Sequence, residues 1–100
     1  MKKEEFCIMP ADERYSTKRF MGSHRHEVFF GKANRQKSIE DGLIVFLTWE
    51  QHEGTYGVHG REGKEFNTYL KRIGQQAWQE YYNKTKEDFI QRYGKNYLDN

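Results

Sequence analysis

Residues 24–59 read HRHEVFFGKANRQKSIEDGLIVFLTWEQHEGTYGVH and hold all four histidines of the 100-residue chain, at positions 24, 26, 52 and 59. The apolar run Leu43–Leu47 separates the first two histidines from the last two. Five consecutive apolar residues predict a strand that is buried on both faces. Histidines far apart in sequence, on either side of one buried strand, are what a small metal site needs, so this stretch decides both the fold and the candidate site.

The first histidine pair is predicted to lie on a strand of its own. Residues 24–30 alternate and then become apolar, and Gly31 closes the segment. Successive side chains of a strand point to opposite faces, so His24 and His26 share one face and Glu27 lies on the other. Residues 31–37 are then predicted as a polar loop.

Capping residues and the three-and-four spacing of apolar side chains predict helices in the rest of the chain. These are a single turn that Ser38 caps and Gly42 ends, a short helix over 49–53, a helix from 65 onward, and a last helix between Thr85 and Gly94. Glycines at 54, 57, 60 and 63 predict a loop between the short helix over 49–53 and the helix that begins at 65.

The predicted fold class is α+β in one domain, residues 1–100. A β-hairpin and a short helix form a core over about 24–60, and two C-terminal helices follow over about 65–98. Aromatic residues make up 16% of the chain, which is too many for a disordered segment.

The single cysteine, Cys7, excludes an internal disulfide and favours a reducing, cytoplasmic setting. We expect no membrane span and no signal peptide, because no apolar run approaches the required length.

The densest basic segment lies between Lys18 and Lys37, where six lysines and arginines face one glutamate. Such a segment attracts a phosphate backbone, although a solvated loop has the same composition. The candidate nucleic-acid contacts are Arg25, Lys32, Arg35 and Lys37. Asn34 either orients a catalytic group or serves as an ordinary turn residue.

The histidines also allow hydrolytic chemistry. Imidazole binds many divalent first-row ions, and one site histidine can instead act as a general base toward water. A bound metal stabilises the charge that develops on a phosphate oxygen. Residues 24–59 therefore hold the parts that phosphodiester hydrolysis requires.

Several short motifs, in a fixed order, resemble small phage and prophage proteins of the HNH (ββα-metal) nuclease type. The likeness covers about residues 7–98, and the order of the motifs together with the ending Gly94-Lys95-Asn96-Tyr97-Leu98 is its most specific part. The matching pieces are His26–Gly31, Asn34-Arg35, Ser38–Leu43, Leu47, His52, Gly57–Gly60, Leu70-Lys71, Gln75, Phe89 and Tyr93–Leu98.

The resemblance implies one divalent ion, with Mg, Mn, Ni and Zn left open. It implies His26 and Asn34 as catalytic residues. His24, Glu27, His52 and His59 are the candidate metal ligands, and which of His24, His26 and Glu27 is base or ligand stays open.

The chain also departs from this family. Many of its members carry a structural zinc on two Cys-x-x-Cys pairs, whereas here only Cys7 remains, so we expect no structural zinc. Trp49, Phe6 and Phe20 are predicted to replace it by packing. Glu53 stands where a second histidine is common, which is compatible with an inactive member.

The expected function is metal-dependent hydrolysis of DNA, or RNA, in the host-cell cytoplasm. The protein would act alone, as a homodimer or within a larger phage nucleoprotein complex. The alternatives are a catalytically inactive nucleic-acid-binding domain and a structural or partner-binding phage protein.

Overall fold

The computed structural model of the protein describes residues 5–98, and it confirms the α+β class. Two antiparallel strands and four helices follow one another along the chain. They are β1 (His24–Glu27), α1 (Arg35–Asp41), β2 (Ile44–Leu47), α2 (Trp49–His52), α3 (Lys64–Tyr82) and α4 (Lys86–Tyr93).

The sheet joins the two strands that the sequence singles out. His24 lies opposite Leu47 and His26 opposite Val45. All four residues of β2 are buried, which confirms the prediction drawn from its unbroken apolar run. On the far side of β2, the backbone of Ser16 exchanges two hydrogen bonds with Phe46, of 3.0 and 2.8 Å. This contact covers the second edge of β2, so the strand is paired on both sides.

The segment between the strands differs from its prediction. The first strand ends at Glu27. The helix α1 covers residues 35–41, so the expected loop is confined to 31–34 and the turn expected from Ser38 begins three residues earlier. Ser38 is not its cap but a buried residue inside it. Its hydroxyl donates to the carbonyl of Phe29 at 2.6 Å and accepts from the Phe29 amide at 3.0 Å. This exchange satisfies backbone groups of Phe29 and so turns the chain out of the sheet. Gly42 ends the helix in the left-handed conformation, as predicted.

The two C-terminal helices pack against the residues that directly follow β1. The Phe29 ring lies 5.2 Å from Phe89, 4.9 Å from Tyr93 and 5.5 Å from Tyr97, measured between ring centroids. The predicted start of the last helix is confirmed, since Thr85 forms a reciprocal capping box with Asp88. The core behind the first histidine strand is therefore completed by the end of the chain.

Asp41, the last residue of α1, connects that helix to both C-terminal helices. Its Oδ2 accepts hydrogen bonds from Trp78 Nε1 at 2.8 Å, Arg92 Nε at 2.6 Å and the Tyr93 hydroxyl at 2.6 Å. Burial raises the pKa of Tyr93, and the bond to Asp41 raises it further. The hydroxyl therefore remains a donor to this buried carboxylate.

The predicted aromatic replacement for a structural zinc is wrong. Trp49, Phe6 and Phe20 are 56%, 46% and 39% exposed, because the apolar faces that pack the core belong to other residues. The sulfur of Cys7 instead donates a hydrogen bond to the carbonyl of Ile44 at 3.1 Å. None of the helices within 5–98 has the length and apolar character needed to cross a membrane.

Candidate metal centre

Three of the four histidines converge on one point although they come from three different parts of the chain. His26 projects from β1, His52 ends α2 and His59 lies in the loop that follows. One ring nitrogen from each lies within 4.8 Å of the other two. The ring centroids are 5.3 Å apart for His26 and His52, 5.2 Å for His26 and His59, and 4.7 Å for His52 and His59. This spacing suits three ligands around one small cation, and we call the three residues the histidine cluster.

His26 shows most directly that the cluster fits a metal. The residue is 2% exposed, and its Nε2 is buried with no hydrogen-bond partner among the described residues. A buried polar atom without a partner costs about 1–3 kcal/mol, so such atoms are rare unless something binds them. Burial, followed by the charges of His52 and His59, lowers the pKa of His26 to about 3. The ring is therefore neutral at physiological pH and keeps a lone pair for a cation.

His52 is held from both sides. A capping box between Thr48 and Gln51 fixes the helix that carries it. The Nδ1 of His52 lies 3.2 Å from Nδ1 of His24 and 3.3 Å from a carboxylate oxygen of Glu53. Since these neighbours engage Nδ1, Nε2 is the nitrogen left to bind a metal, an arrangement common around metal-bound histidines.

His59 is positioned by the glycine-rich loop, as the sequence predicts. The amide of each of Gly57, Gly60 and Gly63 donates to the carbonyl of the glycine three residues earlier, at 2.9, 2.8 and 3.1 Å. A Cβ at Gly60 would collide with the carbonyl oxygen of Gly54, so the close coil requires glycine there. The amide of His59 donates to the carbonyl of His52 at 2.9 Å. The loop thereby fixes the third histidine directly against the second.

Two further residues border the cluster, although neither was assigned a role in the site from the sequence. The Phe30 ring lies 5.5 Å from His26 and 5.1 Å from His59. Lys71, on α3, places its Nζ 4.6 Å from the centroid of the same Phe30 ring. Its charge contributes to lowering the pKa of His26. No local motif could have revealed Lys71, because only the tertiary fold brings α3 to this side of β1.

The acidic candidates lie outside the histidine cluster. Glu27 faces away from His26, as the strand alternation predicts. Its carboxylate pairs with Arg25 Nε at 3.1 Å and with Arg35 Nε at 3.4 Å. His24 belongs to a second group with His52 and Glu53, whose ligand atoms also lie within 4.8 Å of one another. Of the predicted ligands, the structure thus brings His52 and His59 together with His26, keeps His24 beside His52, and leaves out Glu27.

The predicted residues of the intervening segment mainly contact protein. Asn34 Nδ2 donates to the carbonyl of Tyr93 at 3.2 Å, and Lys37 Nζ donates to that of Arg92 at 2.8 Å. Both bonds attach α1 to α4 rather than reaching the histidine cluster. Arg25 also pairs with Glu5, at 3.2 Å, whereas Lys32 is exposed. Carboxylates therefore partly neutralise the basic segment between Lys18 and Lys37, which the sequence predicts to attract a phosphate backbone.

Three imidazole ligands limit which metals the cluster can bind and what role a bound metal can have. Imidazole ligands suit Zn, Ni, Cu and Fe, whereas Mg prefers oxygen ligands. Three protein ligands leave a position open for water or substrate, which is typical of catalytic rather than structural zinc.

Comparison of the chain with protein-family models, curated proteins and solved structures finds no match. The geometry of the histidine cluster and its surroundings is therefore the basis for any assignment of function.

Proposed function

We propose that the protein is a metal-dependent endonuclease of the HNH type that hydrolyses phosphodiester bonds in DNA. One observation carries the proposal: three histidines from separate elements converge, and the most buried of them presents an unpartnered Nε2. The order of motifs that resembles phage and prophage HNH proteins supplies the reaction class.

His26, His52 and His59 would hold the ion. A divalent ion in such a site lowers the pKa of bound water and stabilises the charge on a phosphate oxygen. The all-imidazole donor set favours Zn or Ni over Mg. Because Nδ1 of His52 is engaged by His24 and Glu53, we assign those two residues to orienting the His52 ring.

The same geometry makes His24 a positioning residue. A metal bound at Nε2 would leave the proton of neutral His52 on Nδ1, which donates to Nδ1 of His24 and to the Glu53 carboxylate. Neutral His24 then carries its own proton on Nε2 and has no lone pair there for a proton from water. The nucleophile would be the hydroxide that such an ion generates from its bound water near neutral pH.

The test combines plasmid nicking with metal binding. Supercoiled plasmid is incubated with purified protein and Zn, Ni, Mn or Mg, or with EDTA, and binding of Co²⁺ is followed by its visible absorbance. We expect His26→Ala and His52→Ala to abolish both binding and nicking. His24→Ala removes an acceptor for the His52 Nδ1 proton and should lower Co²⁺ affinity by about 10–100-fold without abolishing binding. Glu50→Ala, an exposed change on α2, is the matched control and should behave as wild type.

One observation favours a second function, a catalytically inactive nucleic-acid-binding domain. Glu27 and Glu53 stand where two functional residues are common in the family, and Glu27 is held in ion pairs instead. A folded protein that binds Co²⁺ but nicks no plasmid with any of the four metals would contradict the nuclease and support this alternative. A protein that binds no Co²⁺ would rule out the metal site itself.

A further inference from the structure

Lys71 carries a positive charge beside the histidine cluster and is half-buried. Its Nζ lies 4.6 Å from the centroid of the Phe30 ring, and that ring also contacts His26 and His59. One aromatic side chain therefore separates the ammonium group from the candidate metal ligands. The ring centroids of His26 and His59 therefore lie within about 10 Å of this charge.

A second lysine, Lys95, lies near Lys71. Nζ of Lys71 and Nζ of Lys95 are each 5.4 Å from the centroid of the Tyr97 ring. The charge of Lys95, after burial, lowers the pKa of Lys71. Two ammonium groups are thus held near one ring although they repel each other.

Among the described residues, neither lysine has a carboxylate partner. Within residues 5–98, no carboxylate lies at ion-pairing distance from Lys71 or Lys95. This contrasts with Arg25 and Arg35, both of which pair with Glu27. On the segment 31–37, by contrast, Arg35 is paired and Lys37 donates to a backbone carbonyl, so the side of Phe30 and Tyr97 holds two lysines without a carboxylate partner among these residues.

We infer that Lys71 and Lys95 bind two backbone phosphates of the substrate strand, one each, next to the phosphate at the histidine cluster. The strand then runs from the cluster, past Phe30, toward the C-terminal residues 94–98. The inference deepens the proposed function and rests on it for the identity of the anion as a nucleic-acid phosphate. It also gives a role to Lys95 in the ending Gly94-Lys95-Asn96-Tyr97-Leu98, which the histidines leave unexplained.

A purely structural role for these lysines makes a different prediction. An ammonium group over an aromatic ring stabilises the folded protein by attraction to the face of the ring. Losing it would lower the melting temperature but would not change how DNA binding depends on salt. A phosphate contact releases a counterion. The plot of log K against log salt has a negative slope, and loss of one contact reduces the magnitude of that slope by about 0.9 on duplex DNA.

The experiment measures fluorescence anisotropy of a labelled DNA duplex across a salt series, in EDTA so that no strand is cut. Lys71→Gln and Lys95→Gln should each lower the slope by about 0.9, and the double variant by about twice that. Lys71→Arg keeps the charge and should keep the slope. Thermal melts of each variant report any loss of folding.

Lys84→Gln is the matched control for the same charge change. Lys84 is exposed beyond the end of α3, and the helix from Lys71 to that end is about 16 Å long. We expect its slope to equal that of wild type. Slopes for Lys71→Gln and Lys95→Gln that match the control would overturn the inference, as would a wild-type protein that binds no DNA.

The two proposals fail separately. Lysine-dependent DNA binding without nicking, in protein loaded with metal, would contradict the nuclease and leave this binding surface in place. Metal-dependent nicking with unchanged salt slopes in both lysine variants would contradict the surface and leave the nuclease in place.

Discussion

Asp41 has the largest structural role of any single charged residue that the structure describes. It is 8% exposed, and its carboxylate accepts hydrogen bonds from side chains of both α3 and α4. A buried carboxylate is tolerated only when such donors replace water. Its removal would leave Trp78 and Tyr93 with unsatisfied donors, so the helices depend on this one side chain.

Asp41→Asn tests that dependence. The amide keeps the shape but loses the charge that Arg92 pairs with, and it turns a donor toward other donors. We expect a loss of about 2–4 kcal/mol in the free energy of unfolding, measured in urea. Glu40→Gln is the control, because Glu40 contacts the same arginine from an exposed position at 3.3 Å. It should cost about 1 kcal/mol or less, and equal effects of the two changes would refute the role of Asp41.

At the scale of elements, the coil between α2 and α3 determines where His59 lies. Its glycines recur at every third residue, and each closes a turn on the preceding one. The backbone passes itself so closely that a side chain at position 60 has no room. Loop composition is thereby coupled to site geometry, since His59 moves if the coil opens.

Gly60→Ala should therefore affect metal binding more than folding. The added methyl group displaces the carbonyl of Gly54 and with it the backbone that holds His59 against His52. We expect Co²⁺ affinity to fall by about 10–100-fold, as when the support of a metal ligand is lost, while the circular dichroism spectrum stays that of a folded protein. Thr55→Ala, an exposed change in the same coil, should bind Co²⁺ as wild type does. An unchanged affinity for Gly60→Ala would mean that the coil does not position the ligand.

At the scale of the whole molecule, the C-terminal helices support the histidine strand. Phe89 is fully buried and packs its ring against Phe29, two residues beyond the end of β1. Trp78 packs against the same Phe89 ring at 5.4 Å. The first cluster histidine therefore depends on aromatic residues more than fifty positions away in sequence.

Phe89→Ala is expected to destabilise the protein by about 3–5 kcal/mol, because it leaves a cavity under β1. Ile90→Ala, the neighbouring change on α4, removes a side chain that is 37% exposed and should cost about 1 kcal/mol or less. Urea unfolding measures both. Comparable losses for the two variants would show that α4 does not support the strand through Phe89.

The sequence predicts those features that depend on local rules. Strand alternation places His24 and His26 on one face, an unbroken apolar run identifies β2, and the capping box at Thr85 marks α4. Prediction from the sequence fails where the position of a side chain depends on a partner that is distant in the sequence. Ser38 suggests a helix cap until Phe29 is available for its hydroxyl, and Lys71 has no local feature that reveals its place beside Phe30. The exposure of Trp49 has the same origin, since burial depends on which faces meet.

The packing around Phe29 can form only late in synthesis, because its aromatic partners lie near the end of the chain. A ribosome releases the histidines first and the aromatic residues of α4 and Tyr97 last, and domains generally fold as units. Until those residues emerge, the Phe29 ring lacks three of its aromatic partners, and the core beside the strand that carries His26 is unfinished. The nascent chain therefore carries every proposed ligand without the support that holds them together. A message that ends before α4 would yield a protein with four histidines and no site.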